Sequence, residues 1–332
     1  MTTGYDVLCI GNAIVDILAR TEDDFLVAEG LAKGSMNLID TERAETLYAA
    51  MGPAVEASGG SAGNTAAGIA SLGGRAAYAG KVADDTLGGV YRHDMTAQGV
   101  HFNTVPLVGG APTARSMILI TPDGERTMNT YLGACVELGP EDIDEAVAAA
   151  SRIVYFEGYL WDPPRAKDAL RKAADIAHAN GGRMAITLSD SFCVDRWRPE
   201  FLALLRDGTV DIVFANEHEA RALYQTADLD AAVAGLREDA ALGIVTMGAE
   251  GSLVVEGETT SAVGAFPVED IVDLTGAGDL FASGFLHGLT NGLGHADSQR
   301  LGSFAAAKSI EQIGPRPQIN LADAARQAGF SL

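Results

Sequence analysis

Towards the end of the 332-residue chain, the run Asp273-Leu-Thr-Gly-Ala-Gly-Asp279 leads straight into the apolar helical pattern Leu280–Leu289. A glycine-rich turn at a helix N-terminus presents several unpaired backbone N–H groups, and the helix dipole adds partial positive charge there. Such a turn suits a phosphate, or the charge that develops on one during transfer. Gly276 and Gly278, on either side of Ala277, let the backbone approach a ligand closely. Asp279 stands in the first turn of the helix. It can take a proton from a hydroxyl held just outside, or it can merely cap the helix, a position Asp favours.

A second glycine-rich run, Gly59-Gly60-Ser-Ala-Gly-Asn64-Thr65, opens the alanine-rich helical pattern Ala66–Leu72, which ends at Gly73-Gly74. Paired glycines admit a polyol to the backbone, and Asn64 offers both a donor and an acceptor to a hydroxyl. The same residues also read as a flexible loop before an ordinary helix start.

Together these segments resemble the signatures of the PfkB family of ribokinase-like carbohydrate kinases. Residues 273–279 are similar to its second signature, D-T-x-G-A-G-D, with Leu274 where Thr is frequent, and residues 59–64 to its first, GG-x-x-x-N, which grips the sugar. Gly80–Gly89 resembles the G-x-[VI]-G-x-D-x-x-G segment that follows, with Ala83 where Gly is usual. Gly11-Asn12-Ala-Ile-Val-Asp16 places a carboxylate at the end of the first strand, where the carboxyl edge of a parallel sheet binds ligands. Asn216-Glu-His-Glu219 and Thr246-Met-Gly248-Ala-Glu-Gly251, each after a strand, resemble the family's N-x-x-E and [TK]-x-G-x-x-G segments.

The resemblance implies an ATP-dependent phosphotransferase. In it Asn12, Asp16, Gly59, Gly60 and Asn64 hold the acceptor, Asp16 taking two vicinal hydroxyls. Asp279 receives the proton of a primary alcohol, while the amides of Gly276, Ala277 and Gly278 stabilise the transferred group. Asn216, Thr246, Gly248, Gly251 and Thr275 belong to the nucleotide side. Mg2+ is held largely through water, with Glu219 in its outer shell. Some members also bind K+ through backbone oxygens, which here means Asp273, Thr275 and the stretch 313–318. A small β lid closes over the acceptor, with Arg115 and Tyr131 as candidate contacts.

For the acceptor, Gly11–Ile17 (GNAIVDI) is more similar to the GNPLLDI opening of adenosine kinases than to that of ribokinases. Residues 128–135 and 214–220 also resemble bacterial adenosine-kinase-like proteins. This implies adenosine converted to AMP, a purine-salvage step, with Tyr159, Leu160 and Trp161 as a stacking slot for the base. A sugar kinase for ribose, fructose or 2-keto-3-deoxygluconate is the alternative within the family. A catalytically idle nucleoside sensor is the distant one, and such a sensor has no need of an aligned base.

The scaffold that must position these residues is legible as strand alternating with helix. Short apolar runs at Tyr5–Ile10, Ala76–Ala79, Ser116–Ile120, Ile153–Phe156, Met184–Leu188, Ile212–Ala215, Gly243–Thr246 and Ser252–Val255 read as strands. Helical patterns cover Arg165–Asn180, Asn216–Tyr224, Leu229–Leu242, Leu280–Leu289 and Ser298–Ile313. This predicts a three-layer α/β/α sandwich with a mainly parallel sheet, as one domain over residues 1–332. Segments of about 17–40 and 104–131 break the rhythm and are expected to pair as a small antiparallel sheet.

Bulk composition narrows the classes. At 47% hydrophobic the chain can bury a large core, whereas a net charge of −22 with no Lys/Arg cluster argues against nucleic acid as a partner. The acidity reads as solubility or adaptation to salt, and an anionic substrate must then be met by backbone amides, a few cations or a metal. Three distant cysteines without CxxC spacing argue against disulfides or zinc and fit a reducing cytoplasm. No signal-peptide pattern opens the chain, and no apolar run reaches the about 18 residues that span a bilayer. A Walker loop and a dinucleotide fingerprint are absent from the sequence. The six histidines are scattered, and His218 reads as a surface helix residue. A small-molecule enzyme of the cytoplasm, as a monomer or homodimer, is the expectation.

Overall fold

Val7, Leu8, Cys9 and Ile10 are all buried, as a strand covered on both faces requires, and this strand lies inside the sheet that organises the molecule. The computed structural model describes residues 4–331. Its strands are β1 (Tyr5–Ile10), β2 (Ile14–Arg20), β3 (Met36–Leu38), β4 (Ala54–Ser58), β5 (Ala76–Ala79), β6 (His101–Phe102) and β7 (Ala114–Ile120). They continue with β8 (Arg126–Tyr131), β9 (Ser151–Glu157), β10 (Arg183–Thr187), β11 (Ile212–Asn216), β12 (Leu242–Thr246), β13 (Ser252–Glu256) and β14 (Thr259–Val263).

Nine strands form the main sheet in the order β14-β13-β12-β11-β10-β9-β1-β5-β6. Pairing is parallel from β12 to β6, and the β12–β13 and β13–β14 pairs at one edge are antiparallel. Successive residues face opposite layers. Leu8, Ile10, Val154 and Phe156 pack under the helices Pro164–Ala179 and Ser191–Arg206, while Val7, Cys9, Ile153 and Tyr155 pack under Ser61–Ser71 and Ala277–Thr290. The expected three layers are present. From β1 the sheet grows one way through β5 and β6 and the other way through β9, so the carboxyl end of β1 is a topological switch point.

The second sheet differs from expectation. It has five strands, β3-β8-β7-β2-β4, and it is mixed rather than antiparallel. β2 pairs β7 and β3 pairs β8 in parallel, while β2–β4 and β7–β8 are antiparallel. Parallel pairing is open to β2 and β7 because the long chain between them can carry a crossover. The sheet also draws in β4, which lies outside both expected segments, and the helix Asp23–Ala28 occupies part of the first. No described helix is long and apolar enough to cross a membrane.

Candidate active site

The helix Ala277–Thr290 begins at Gly276, whose φ of 75° is left-handed. Gly276, not Asp279, is therefore the N-cap residue, and the Asp279 carboxyl does not cap. Its two oxygens turn to the neighbouring helix Ser61–Ser71 instead. The Ser61 hydroxyl donates to Oδ1 at 2.6 Å, and the Asn64 side-chain amide donates to Oδ2 at 2.9 Å. These helices pack closely enough that a Cβ on Gly68 would lie 2.3 Å from the Ser283 hydroxyl oxygen. Two helix N-termini thus meet at one carboxylate. Burial pushes its pKa up to about 6, and the bonds from Ser61 and Asn64 restrain that rise.

Asn12, just beyond β1, is fixed from below. Glu157, the last residue of β9, accepts from the Asn12 backbone N–H at 3.0 Å and side-chain amide at 2.8 Å, and from the Ala62 N–H at 2.9 Å. One buried carboxyl joins the switch-point loop to the helix that orients Asp279. Burial raises Glu157 to about 7, against these donors.

Asp16 lies on β2 of the second sheet and faces the glycine pair that β4 delivers. A Cβ on Gly59 would sit 2.1 Å from Asp16 Oδ2, and one on Gly60 would sit 2.2 Å from the Asn12 carbonyl oxygen. A side chain at Gly60 would collide with backbone, and one at Gly59 would displace the Asp16 carboxyl. Asp16 is buried, which lifts its pKa to about 7, partly opposed by Arg316 and Arg126. The acceptor residues expected from the sequence, Asn12, Asp16, Gly59 and Gly60, therefore gather beside Asp279. Asn64 gathers there too, but its amide is engaged with Asp279 rather than left free for a hydroxyl.

On the nucleotide side, Asn216 and Thr246 are paired residues at the carboxyl ends of β11 and β12. Asn216 caps the next helix through the N–H groups of His218 and Glu219, and Glu219 returns two bonds to Asn216. Glu219 is buried and raised to about 7 by that burial, with Asp190 and Asp279 adding to the rise. His218 is exposed, as expected. Gly248 and Gly251 have φ of 55° and 101°, and a Cβ on Gly251 would lie 2.0 Å from the Val263 carbonyl oxygen.

Three expectations need correction. Leu160 and Trp161 are buried in the main core, with Trp161 Nε1 donating to Glu200 at 2.7 Å, so neither lines a base slot. Tyr159 alone of that trio remains partly exposed. Tyr131, at the end of β8, packs against the apolar cluster of the second sheet, because its alternation in that strand aims it at Ile17, Met117 and their neighbours. Arg115 pairs with Tyr131 in register and faces Glu45 at 4.0 Å.

The third correction concerns K+. Asp273 is ion-paired with Arg126 of β8 and also accepts from the N–H groups of Thr275 and Gly314, both at 2.8 Å. The Thr275 carbonyl accepts from the Ser309 hydroxyl at 3.3 Å, the Ile313 carbonyl from the Gln318 amide at 2.7 Å, and the Arg316 carbonyl from the Gln312 amide. Donors of the chain itself engage each of these oxygens and the Arg126 guanidinium already offsets the Asp273 charge, so the arrangement argues against K+.

Sequence reasoning missed Ser61, Glu157, Arg126 and Arg316. Ser61 lay inside a recognised motif. Glu157 carried a readable signal, an acid directly after the apolar strand Ile153–Phe156. The two arginines carried none, since an Arg beside a turn or between prolines is an ordinary surface residue.

A carboxylate aligned by two donors, set on a glycine turn at a helix N-terminus at the carboxyl edge of a parallel sheet, defines a phosphotransferase of the ribokinase-like class. The profile of the pfkB family carbohydrate kinases matches residues 7–321, and the chain belongs to that family of kinases. Its fold and sequence are similar to the crystal structure of adenosine kinase from Sinorhizobium meliloti, at 65% identity and a TM-score of 0.95, covering 98% of this chain and all of that one. A probable sugar kinase from Rhizobium etli is 58% identical with a TM-score of 0.95, covering 99% of each chain. Adenosine kinase of Saccharomyces cerevisiae is 28% identical over 93% of this chain and 96% of its own length.

Proposed function

We propose that this enzyme transfers the γ-phosphate of Mg-ATP to the primary alcohol of adenosine, forming AMP. The observation that carries the reading is the Asp279 carboxylate, turned away from its own helix and aligned by Ser61 and Asn64. Adenosine as acceptor is supported by the 65% identity to a protein described as adenosine kinase.

In this reading Asp16 and the backbone at Gly60 hold the ribose hydroxyls, beside Gly59, whose own N–H and carbonyl are engaged by Ile14, Arg316 and Tyr91, with Asn12 fixed by Glu157. Asp279 accepts the proton as the alcohol oxygen attacks the γ-phosphorus and the bond to the β–γ bridging oxygen breaks, releasing ADP. The N–H groups that open the helix at Ala277 and Gly278 meet the growing charge on the phosphoryl oxygens. Thr246, Gly248, Gly251, Asn216 and Thr275 line the nucleotide side. Among the described residues no cluster of three acidic, His or Cys side chains could ligate a metal directly. Glu219 would stand in the outer shell of a Mg2+ bound through water, and such an ion would offset phosphate charge. The second sheet acts as a lid that excludes water from the transfer. Three free, buried cysteines suit a reducing cytoplasm.

A sugar acceptor is the second reading. It is favoured by the burial of Leu160 and Trp161 away from any base slot, and by 30% identity over 77% of the chain to an ATP-dependent ribose-1-phosphate kinase of Halopiger xanaduensis. ADP release with Mg-ATP and a panel of adenosine, inosine, guanosine, ribose, fructose and 2-keto-3-deoxygluconate separates the two. Adenosine-dependent turnover that vanishes in Asp279→Asn is expected. Turnover with a free sugar alone overturns the nucleoside assignment, and nucleoside binding without any turnover returns the idle sensor.

A further inference from the structure

We propose that Arg316 is a positioning residue that couples the acceptor-holding carboxylate Asp16 to the base Asp279 by way of Asn64. The inference rests on the kinase reading above and adds a residue that no motif contains.

Arg316 comes from the loop after the helix His295–Ile310. That loop is seated on the anion turn, because a Cβ on Gly276 would lie 2.7 Å from the Pro315 carbonyl oxygen. From there Arg316 runs inward and is only 8% exposed. Its Nη2 donates to the Gly59 carbonyl at 3.1 Å, and its Nε faces Asn64 Oδ1 at 3.4 Å. The guanidinium lies 5.3 Å from the ring centroid of Tyr91, whose hydroxyl donates to the same Gly59 carbonyl at 3.1 Å.

Two consequences follow for the reacting groups. A side-chain amide can present either its oxygen or its nitrogen to a neighbour. With Arg316 on the oxygen, Asn64 must turn its N–H groups to Asp279. Without that hold, the amide oxygen is free to rotate towards the carboxylate and repel it. The second consequence is electrostatic. The Asp16 carboxyl accepts no hydrogen bond from the described residues and depends on nearby charge to stay ionised. Burial is the main force against its charge; Arg316 from the C-terminal loop and Arg126 from β8 favour the charged form, in that order, while Asp279 and Asp273 add to the opposition. One guanidinium therefore serves both ends of the acceptor site.

The Nη1 group of Arg316 is buried and without a partner. A buried guanidinium with an unpaired N–H is a poor device for stability. Arg316 and Asp16 both abut Gly59, which sets this charge beside the acceptor carboxylate.

The test separates charge from shape. Arg316→Gln removes both, whereas Arg316→Lys keeps the charge and loses the fork. Steady-state kcat and KM for the acceptor are measured from pH 5.5 to 9, with melting temperatures as a check on folding. For Arg316→Gln we expect kcat to fall about 10-fold or more. We also expect the pH below which KM rises to move up by about one unit, since Asp16 then protonates more readily. For Arg316→Lys we expect the loss in kcat with the KM profile left near that of the wild type. Guanidinium chloride at low concentration should restore part of the activity of the Gln variant. A folded Gln variant with unaltered kcat and pH profile overturns the proposal, as does a Lys variant indistinguishable from Gln in both. If the Gln variant fails to fold, the Lys variant decides alone, and wild-type kcat in it sinks the idea. Wild-type turnover in the same assay tests the kinase reading separately.

Discussion

Asn64 donates its side-chain amide to Asp279 Oδ2 across 2.9 Å, linking the two glycine-rich motifs although 215 positions separate them in the chain. With Ser61 on the other oxygen, the carboxylate has one orientation. Replacing Asp279 by Asn should cut kcat by about 100- to 10,000-fold, the range for loss of a general base. Asn64→Ala should cost about 10- to 100-fold in kcat by misaligning that base, with a smaller change in KM. Initial rates at saturating acceptor check both. An Asn64→Ala variant altered only in KM would return Asn64 to acceptor binding.

The acidic limb of turnover should follow Asp279. Its pKa is raised to about 6 by burial, and a base works only when deprotonated. kcat should therefore be flat above pH 7 and fall as pH drops through 6. The Ser61 hydrogen bond lowers that pKa, so Ser61→Ala should shift the limb upward. A limb that stays in place in Ser61→Ala would dissociate it from Asp279.

Stability should fall as pH rises from 5 to 8. Glu157 titrates at about 7 in the folded protein, above its unfolded value, so the folded state holds the proton more tightly. Stability is then greatest below the unfolded pKa and is lost as pH climbs through the folded one. Asp16 and Glu219, both raised to about 7, act with the same sign. Glu157→Gln should flatten this slope in calorimetric melts, and an unchanged slope would count against Glu157 as a contributor.

Potassium should have no specific effect. Arg126 holds Asp273, and the surrounding carbonyls are engaged by Ser309, Gln318 and Gln312. Replacing KCl by choline chloride at equal ionic strength should leave kcat unchanged. Strong activation by K+ would show that these donors give way to the ion.

Much of the fold was readable because the chain states it locally. Parallel strands buried on both faces are short apolar runs, and the helices between them end at glycines such as Gly181, with φ of 77°. The second sheet was harder. β4 is mostly exposed, so Ala54–Ser58 shows no apolar run, and parallel pairing of β2 with β7 is a fact about distant segments.

The α/β class, the anion turn at Gly276–Gly278 and the acid that follows it are written locally in the chain, because turn geometry and helix starts depend on neighbouring residues. The chain alone left open whether Asp279 caps a helix or serves as a base, and whether Trp161 lines a site or fills the core. Packing of the helices against the sheet resolved both questions. It set Ser61 and Asn64 against Asp279, Glu157 beneath Asn12, and Arg316 beside Gly59 and Asn64. Those contacts join residues far apart in the chain, and hydrogen bonding and burial between such residues exist only once the helices and sheet have packed.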